Sequence, residues 1–308
     1  LATDNPLDGN VIVSSNNTTK VDVLKFNVKV DNVNATFNSG TIKVKVAGSN
    51  FTNFTKDHVT ALELWDGSNL VASAAPTGWD ATNTGTSTWS NFTLPVAAGT
   101  TKTLTVKAVL AQVPSGYTNN GTGYLQIITG PTLTGIDANS NVVTVNGASV
   151  TGNKMYPFLV APTFVYSGSD VKVTGSAPNG SPPHTNDVAD ASITFTVTAN
   201  GGDIYIATTN TGITGIADNY TTASSSDAWS CNSPAETNTT NSNYWRIPSG
   251  STATCTFTDH LTNTGAVEGG WFQAKINNIK WSTSTGGTIV DQTWGLTGLQ
   301  TSQFYLGK

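Results

Sequence analysis

The same ordered series of short segments occurs twice along this chain. Gly9-Asn10-Val11-Ile12-Val13-Ser14-Ser15 reads against Ser169-Asp170-Val171-Lys172-Val173-Thr174-Gly175, and Leu24-Lys25-Phe26-Asn27-Val28-Lys29-Val30 reads against Ile193-Thr194-Phe195-Thr196-Val197-Thr198-Ala199. Further on, residues 98–106 read against 249–257, which sets Leu104 beside Cys255, and Gly123-Tyr124-Leu125-Gln126 reads against Gly270-Trp271-Phe272-Gln273. The order is the same in both halves. At 308 residues each copy has the length of an ordinary domain with its own core.

Within each copy the apolar residues alternate. Leu24, Phe26, Val28 and Val30 share one face while Lys25, Asn27 and Lys29 share the other; Ile42, Val44 and Val46 repeat the pattern with Lys43 and Lys45 outward. Leu62 and Leu64 flank Glu63, and Leu104, Val106 and Ala108 alternate with Thr103, Thr105 and Lys107. Period-two alternation specifies half-buried antiparallel strands. Turn clusters such as Asp66-Gly67-Ser68-Asn69 and Pro114-Ser115-Gly116 separate the runs. No window holds a helical period, and the one segment that tempts a helix reading, 58–66, alternates like a strand. The expected fold is all-β, two tandem immunoglobulin-like antiparallel β-sandwich domains. The divisions are an N-terminal tail over 1–8, domain 1 over 9–168 and domain 2 over 169–308. The hinge falls near Ser167 to Ser169, and Gln303-Phe304-Tyr305-Leu306 matches Thr163-Phe164-Val165-Tyr166.

Charge narrows the partners. Only 11% of residues are charged, against about 25% in ordinary soluble proteins. The net charge is −5 and the chain has no basic patch, so nucleic acid is not an expected partner. No apolar run approaches the roughly 18 residues that span a bilayer. Thr, Ser, Asn and Gly fill the place of charge, which suits a secreted β-protein. The chain starts at Leu1 with neither methionine nor signal peptide, so a mature form after signal removal, at the cell surface or outside it, is expected. Cys231 and Cys255 are the two cysteines. In an exported protein they read as one disulfide, closing a loop of about 23 residues and contributing about 3 kcal/mol; the alternative is two buried thiols. Asn-x-Ser/Thr sequons occur at Asn16, Asn17, Asn34, Asn50, Asn53, Asn91, Asn120, Asn179, Asn219 and Asn238, so attached glycans are candidate partners.

Catalytic signals are absent from the sequence. Glutamate occurs only at Glu63, Glu236 and Glu268, and no pair of carboxylates sits in a glycosidase-like motif. His58, His184 and His260 lack metal-ligand spacing, and no Gly-x-Ser-x-Gly elbow occurs. The chain is read as a non-enzyme without a cofactor. Calcium is the one metal its aspartates suit, in loops near Asp4, Asp8, Asp187 or Asp190, but no Asp-x-Asp-x-Asp loop assigns a site. The strand lysines lie on the polar face, which argues against a Lys–Asn crosslink. Trp89 and Trp229 share a Trp-Ser context and read as structural; Trp245 and Trp294 read as surface candidates.

With these features in view the chain resembles microbial extracellular filament and surface-layer subunits built of immunoglobulin-like β-sandwiches, such as camelysin/TasA-like matrix fibres and archaeal bundling pili. The resemblance covers architecture and composition and carries no diagnostic motif, so no residue role transfers. It implies subunits joined by donor-strand complementation. An edge strand and a core gap can also accept a strand from a second copy on physical grounds alone. The expected function is a structural subunit that polymerises head-to-tail with itself; the alternative is a monomeric adhesin or carbohydrate-binding module. The expected contact residues are Leu1, Leu7, Val11 and Val13 at one end and Phe304, Tyr305 and Leu306 at the other, with residues 1–8 crossing to a neighbour and Val11 to Ser15 either crossing with them or forming the first strand of their own domain.

Overall fold

The computed structural model describes residues 1–47, 54–145, 150–175, 187–208, 213–217, 223–232, 236–237, 243–263 and 270–306. Compact packing divides the chain into Leu1–Leu159 and Val160–Lys308. The first unit holds β1 (Gly9–Ile12), β2 (Thr19–Val30), β3 (Ala35–Ala47), a 3₁₀ turn (Lys56–His58), β4 (Val59–Asp66), β5 (Asn69–Ala74), β6 (Thr84–Val96), β7 (Thr100–Leu110), β8 (Tyr124–Asp137), β9 (Val142–Val145) and β10 (Met155–Phe158). The second holds β11 (Ala161–Thr174), β12 (Val188–Asn200), β13 (Ile204–Ala207), β14 (Ile213–Ala217), β15 (Ala223–Cys231), β16 (Glu236–Thr237), β17 (Tyr244–Ile247), β18 (Thr252–Asn263), β19 (Gly270–Phe272), β20 (Ala274–Ser282), β21 (Val290–Gln292) and β22 (Phe304–Leu306).

Each unit is an all-β sandwich. In the first, a sheet ordered β1-β10-β8-β3-β6, with β9 against β8, faces one ordered β2-β7-β4-β5. The alternation read from the sequence decides which side chains meet between them: Phe26, Val28, Leu62, Leu64, Leu104 and Val106 come from one sheet and Phe37, Ile42, Val44, Leu125 and Ile127 from the other. Trp89 on β6 fills the gap and donates its indole N–H to the Leu62 carbonyl on β4 at 2.8 Å, joining the sheets. On the solvent face of β4, Glu63 is nonetheless buried. Its carboxylate accepts from Lys20 and from the Trp65 indole, both at 2.9 Å, and the Lys20 and Lys107 ammonium groups lie over the Trp65 ring. In the second unit, β11-β12-β18-β15 is one sheet, β14-β20-β13-β17-β16 with β21 on β20 another, and β19-β22 a two-stranded pair.

The repeat is visible in the register. Phe26 lies opposite Leu104 on β2 and β7; Phe195 lies opposite Cys255 on β12 and β18. Likewise Leu125 opposes Met155 in the first unit and Phe272 opposes Phe304 in the second. The disulfide between Cys231 and Cys255 is formed, joining directly opposed positions of β15 and β18 with Cα atoms 4.0 Å apart.

Two expectations differ from the structure. The hinge near Ser167 lies inside β11, which pairs with β12 along both halves and merely bulges between Tyr166 and Gly168. Residues 164–166 therefore open the second unit, and the strand equivalent to β22 is β10. The first matched segments also pair differently: β1 runs parallel beside β10, whereas 169–174 run antiparallel to β12. The N-terminal segment is tied to its own unit. Val11 and Val13 sit in the core of their own unit, and Ala2 N–H donates to the Lys25 carbonyl. Lys25 N–H donates to the Asn5 side chain, the Lys25 ammonium pairs with Asp4, and Asp8 accepts from the Lys154 backbone N–H.

Candidate assembly edge

The last strand, β22, is three residues long and pairs only with β19 among the described residues. Its alternation is strict. Phe304 and Leu306 turn inward with Phe272, packing on Ala189, Ala191, Leu261 and Ala274. Tyr305 turns outward beside Trp271, directly opposite on β19; the rings meet edge-on at 5.8 Å and are 49% and 60% exposed. An indole so exposed is uncommon, because Trp carries a large apolar area whose hydration is unfavourable.

The first unit shows the same place filled. There Tyr124 and Tyr156 take the positions of Trp271 and Tyr305, with ring centroids also 5.8 Å apart. Tyr156 is only 7% exposed. Strand β1 lies alongside β10 in parallel, pairing Gly9 with Met155 and Asn10 with Tyr156, and the Lys154 ammonium covers the Tyr124 ring at 4.7 Å. Burial pushes the Tyr156 hydroxyl up to about 12, with the Asp8 and Tyr124 charges adding to it. No described strand takes the equivalent place beside β22.

The opposite end of the chain offers a complementary edge. β1 is itself the outermost strand of its sheet, and the chain around it exposes Leu1 at 60% and Leu7 at 74%. Of the seven contact residues expected from the sequence, Leu1, Leu7 and Tyr305 are therefore on the surface, while Val11, Val13, Phe304 and Leu306 are committed to their own cores. Trp271 was missed, although its match to Tyr124 lay in the repeat. Trp294, read as a surface candidate, is buried, and Trp245 is half-buried. Trp89 and Trp229 are not equivalent: Trp89 is in β6, while Trp229 in β15 faces Phe257, as Leu64 faces Val106.

The remaining candidates lie apart from this edge. Asn16, Asn17, Asn34 and Asn91 are exposed, Asn91 with a left-handed φ of 57°. Asn120 is half-buried, its side-chain oxygen accepting from the Thr122 hydroxyl. Asn50, Asn53, Asn179, Asn219 and Asn238 lie outside the described residues, as does His184. The aspartates weighed for calcium are dispersed: Asp4 pairs with Lys25, Asp8 caps Lys154, and Asp190 pairs with His260 at 2.6 Å. No group of three or more His, Cys, Asp or Glu gathers among the described residues. His58 stacks on Phe54 at 5.2 Å. No helix among them is long and apolar enough to cross a membrane.

No protein-family model matches the chain, and no curated protein matches it. Among solved structures it is similar to the C-terminal domain of the Streptococcus agalactiae AgI/II polypeptide BspA, at 10% identity over 98% of this chain and 95% of that one, with a TM-score of 0.20. A second structure, named BspA_C_WT, gives 11% identity, 98% and 95% coverage and a TM-score of 0.22. Likeness at this level carries no inference about what the chain does.

Proposed function

We propose that the chain is a non-catalytic structural subunit of an extracellular filament or surface layer, in which β22 of one copy docks alongside β1 of the next. The carrying observation is the exposed Trp271–Tyr305 pair on an edge strand, at the place where in the first unit a parallel strand lies beside β10 and Tyr156 is buried. Strand addition supplies main-chain hydrogen bonds, and exposed apolar side chains on both edges supply burial. Because β1 keeps its pairing with β10, the joint needs no strand to leave its own unit, in contrast to donor-strand exchange. The two edges differ, so the contact is head-to-tail and propagates as a filament unless it closes into a ring. The disulfide and the scarcity of charge suit an oxidising, extracellular setting.

Negative-stain microscopy of the purified full chain, with sedimentation over a concentration series, tests this. Filaments or ordered sheets are expected; monodisperse single particles at all concentrations would overturn it. The alternative is a monomeric carbohydrate-binding or adhesive module, favoured by the same exposed indole, since Trp stacks on sugar rings. The 72° angle between the Trp271 and Tyr305 rings gives no flat platform, which weighs against that reading. Glycan-array binding by a chain that stays monomeric would select it.

A further inference from the structure

The face of β18 turned to the core of the second unit reads Ala253, Cys255, Phe257, Asp259 and Leu261. One carboxyl group thus stands in an apolar row, and it is 1% exposed. Directly opposite it on β15 is a second carboxyl, Asp227. The repeat supplies the control. Counting along β7 and β18 from the equivalent residues Leu104 and Cys255, the position of Asp259 is held by Ala108 in the first unit, and opposite Ala108 stands Leu62. Leu62 and Ala108 are fully buried. The fold therefore has no packing need for acids at this place, and burying them is unfavourable.

The two carboxyl groups face each other across the ladder, Asp259 fully buried, and a hydrogen bond between them requires a proton. Asp227 also accepts the Gly215 N–H from β14, a strand of the other sheet, at 3.3 Å. Gly215 is tight against the site: a Cβ there would collide with the Phe257 ring. The second oxygen of Asp259 is buried with no hydrogen-bond partner among the described residues. No ion pair among them reaches either carboxyl. His260, next on β18, pairs on the outer face with Asp190 of β12. On β20, Lys275 alternates with the buried Ala274 and Ile276.

We propose that Asp227 and Asp259 share a single proton and act as a proton-dependent latch between β15 and β14, closing the two sheets of the second unit. In the closed state the Asp259 carboxylic acid donates to the Asp227 carboxylate, which also accepts from Gly215. Loss of the proton leaves two adjacent anions in an apolar layer, and water must enter to separate them. The Cys231–Cys255 bond holds the far end of β15 to β18, so opening is confined to the 223–227 end.

The sign follows from the environment. Burial, then the Asp227 charge, lifts Asp259 from the usual 3.8 to about 7, and burial raises Asp227 as well. The folded unit keeps a proton that the unfolded chain releases, so stability is greatest below the ordinary carboxylate value and is lost as pH rises towards 7.

The test uses the full chain. Carboxyl carbon NMR of aspartate-labelled protein should show one carboxyl titrating near 7. Hydrogen-exchange protection of β14, β15 and β18, corrected for intrinsic rates, should fall roughly a hundredfold from pH 5 to pH 8. An Asp227→Leu/Asp259→Ala chain, which copies the first unit, should lose that fall, and Asp259→Asn should remove it without a change in volume. If every aspartate titrates in the ordinary range, or if Asp259→Asn leaves the pH dependence intact, there is no shared proton and no latch.

Discussion

Replacing Trp271 by Ser should weaken assembly while leaving the subunit folded. Trp271 is 60% exposed, so its substitution removes little from its own unit, and exposed substitutions typically change stability by about 0.5 kcal/mol or less. A large aromatic buries up to about 250 Å² in total, so the exposed share available to a partner is about 150 Å². At about 25 cal/mol per Å² that is about 4 kcal/mol, of which the serine retains a fraction. The costs of fixing two subunits together are common to both proteins and cancel in the difference. A net loss of about 3 kcal/mol corresponds to a roughly hundredfold rise in the concentration at which filaments appear. Tyr305→Ser, with a smaller exposed share at 49%, should raise it about thirtyfold. The double variant should fall short of the sum because the rings touch. Light scattering and sedimentation give the critical concentration; circular dichroism and intact mass confirm the fold and the disulfide. Assembly of Trp271→Ser at the wild-type concentration would remove the aromatic edge from the joint.

Reducing the disulfide or replacing both cysteines by Ser should cost the second unit about 3 kcal/mol and speed exchange along β15, with the first unit unaffected in hydrogen-exchange mass spectrometry. Trp89→Phe should destabilise the first unit by about 1 to 2 kcal/mol in urea unfolding, because it removes the buried hydrogen bond to the Leu62 carbonyl; a stability equal to wild type would mean that this bond contributes nothing. Gly215→Ala should cost the second unit about 2 kcal/mol, since its Cβ meets the fully buried Phe257 ring.

Alternation along the chain determined much of this protein. It identified the strands, put Phe26, Val28 and Leu104 in a core, and kept Lys25, Lys43 and Lys45 off it. The ordered repeat went further and aligned Phe26 with Phe195 and Leu104 with Cys255; that Phe26 faces Leu104 as Phe195 faces Cys255 came from the pairing of the strands. The disulfide followed from the count of cysteines and an exported composition. Which strand lies beside an edge was decided only in three dimensions. Every residue but proline offers the same N–H and C=O, so the sequence of Val11-Ile12-Val13 does not distinguish a parallel place beside β10 from an antiparallel place beside β2. For the same reason the break expected near Ser167 became the middle of β11, whose two halves both find partners on β12. Alternation also says which side of a strand a residue takes but not what covers that side. Trp271 was thus not marked as exposed, nor Tyr156 as covered. Asp259 shows the same limit from within: it falls on the core side of a well-patterned strand, but that its neighbour across the ladder is another carboxyl depends on the pairing of β15 with β18, and that pairing is a property of the folded sheet.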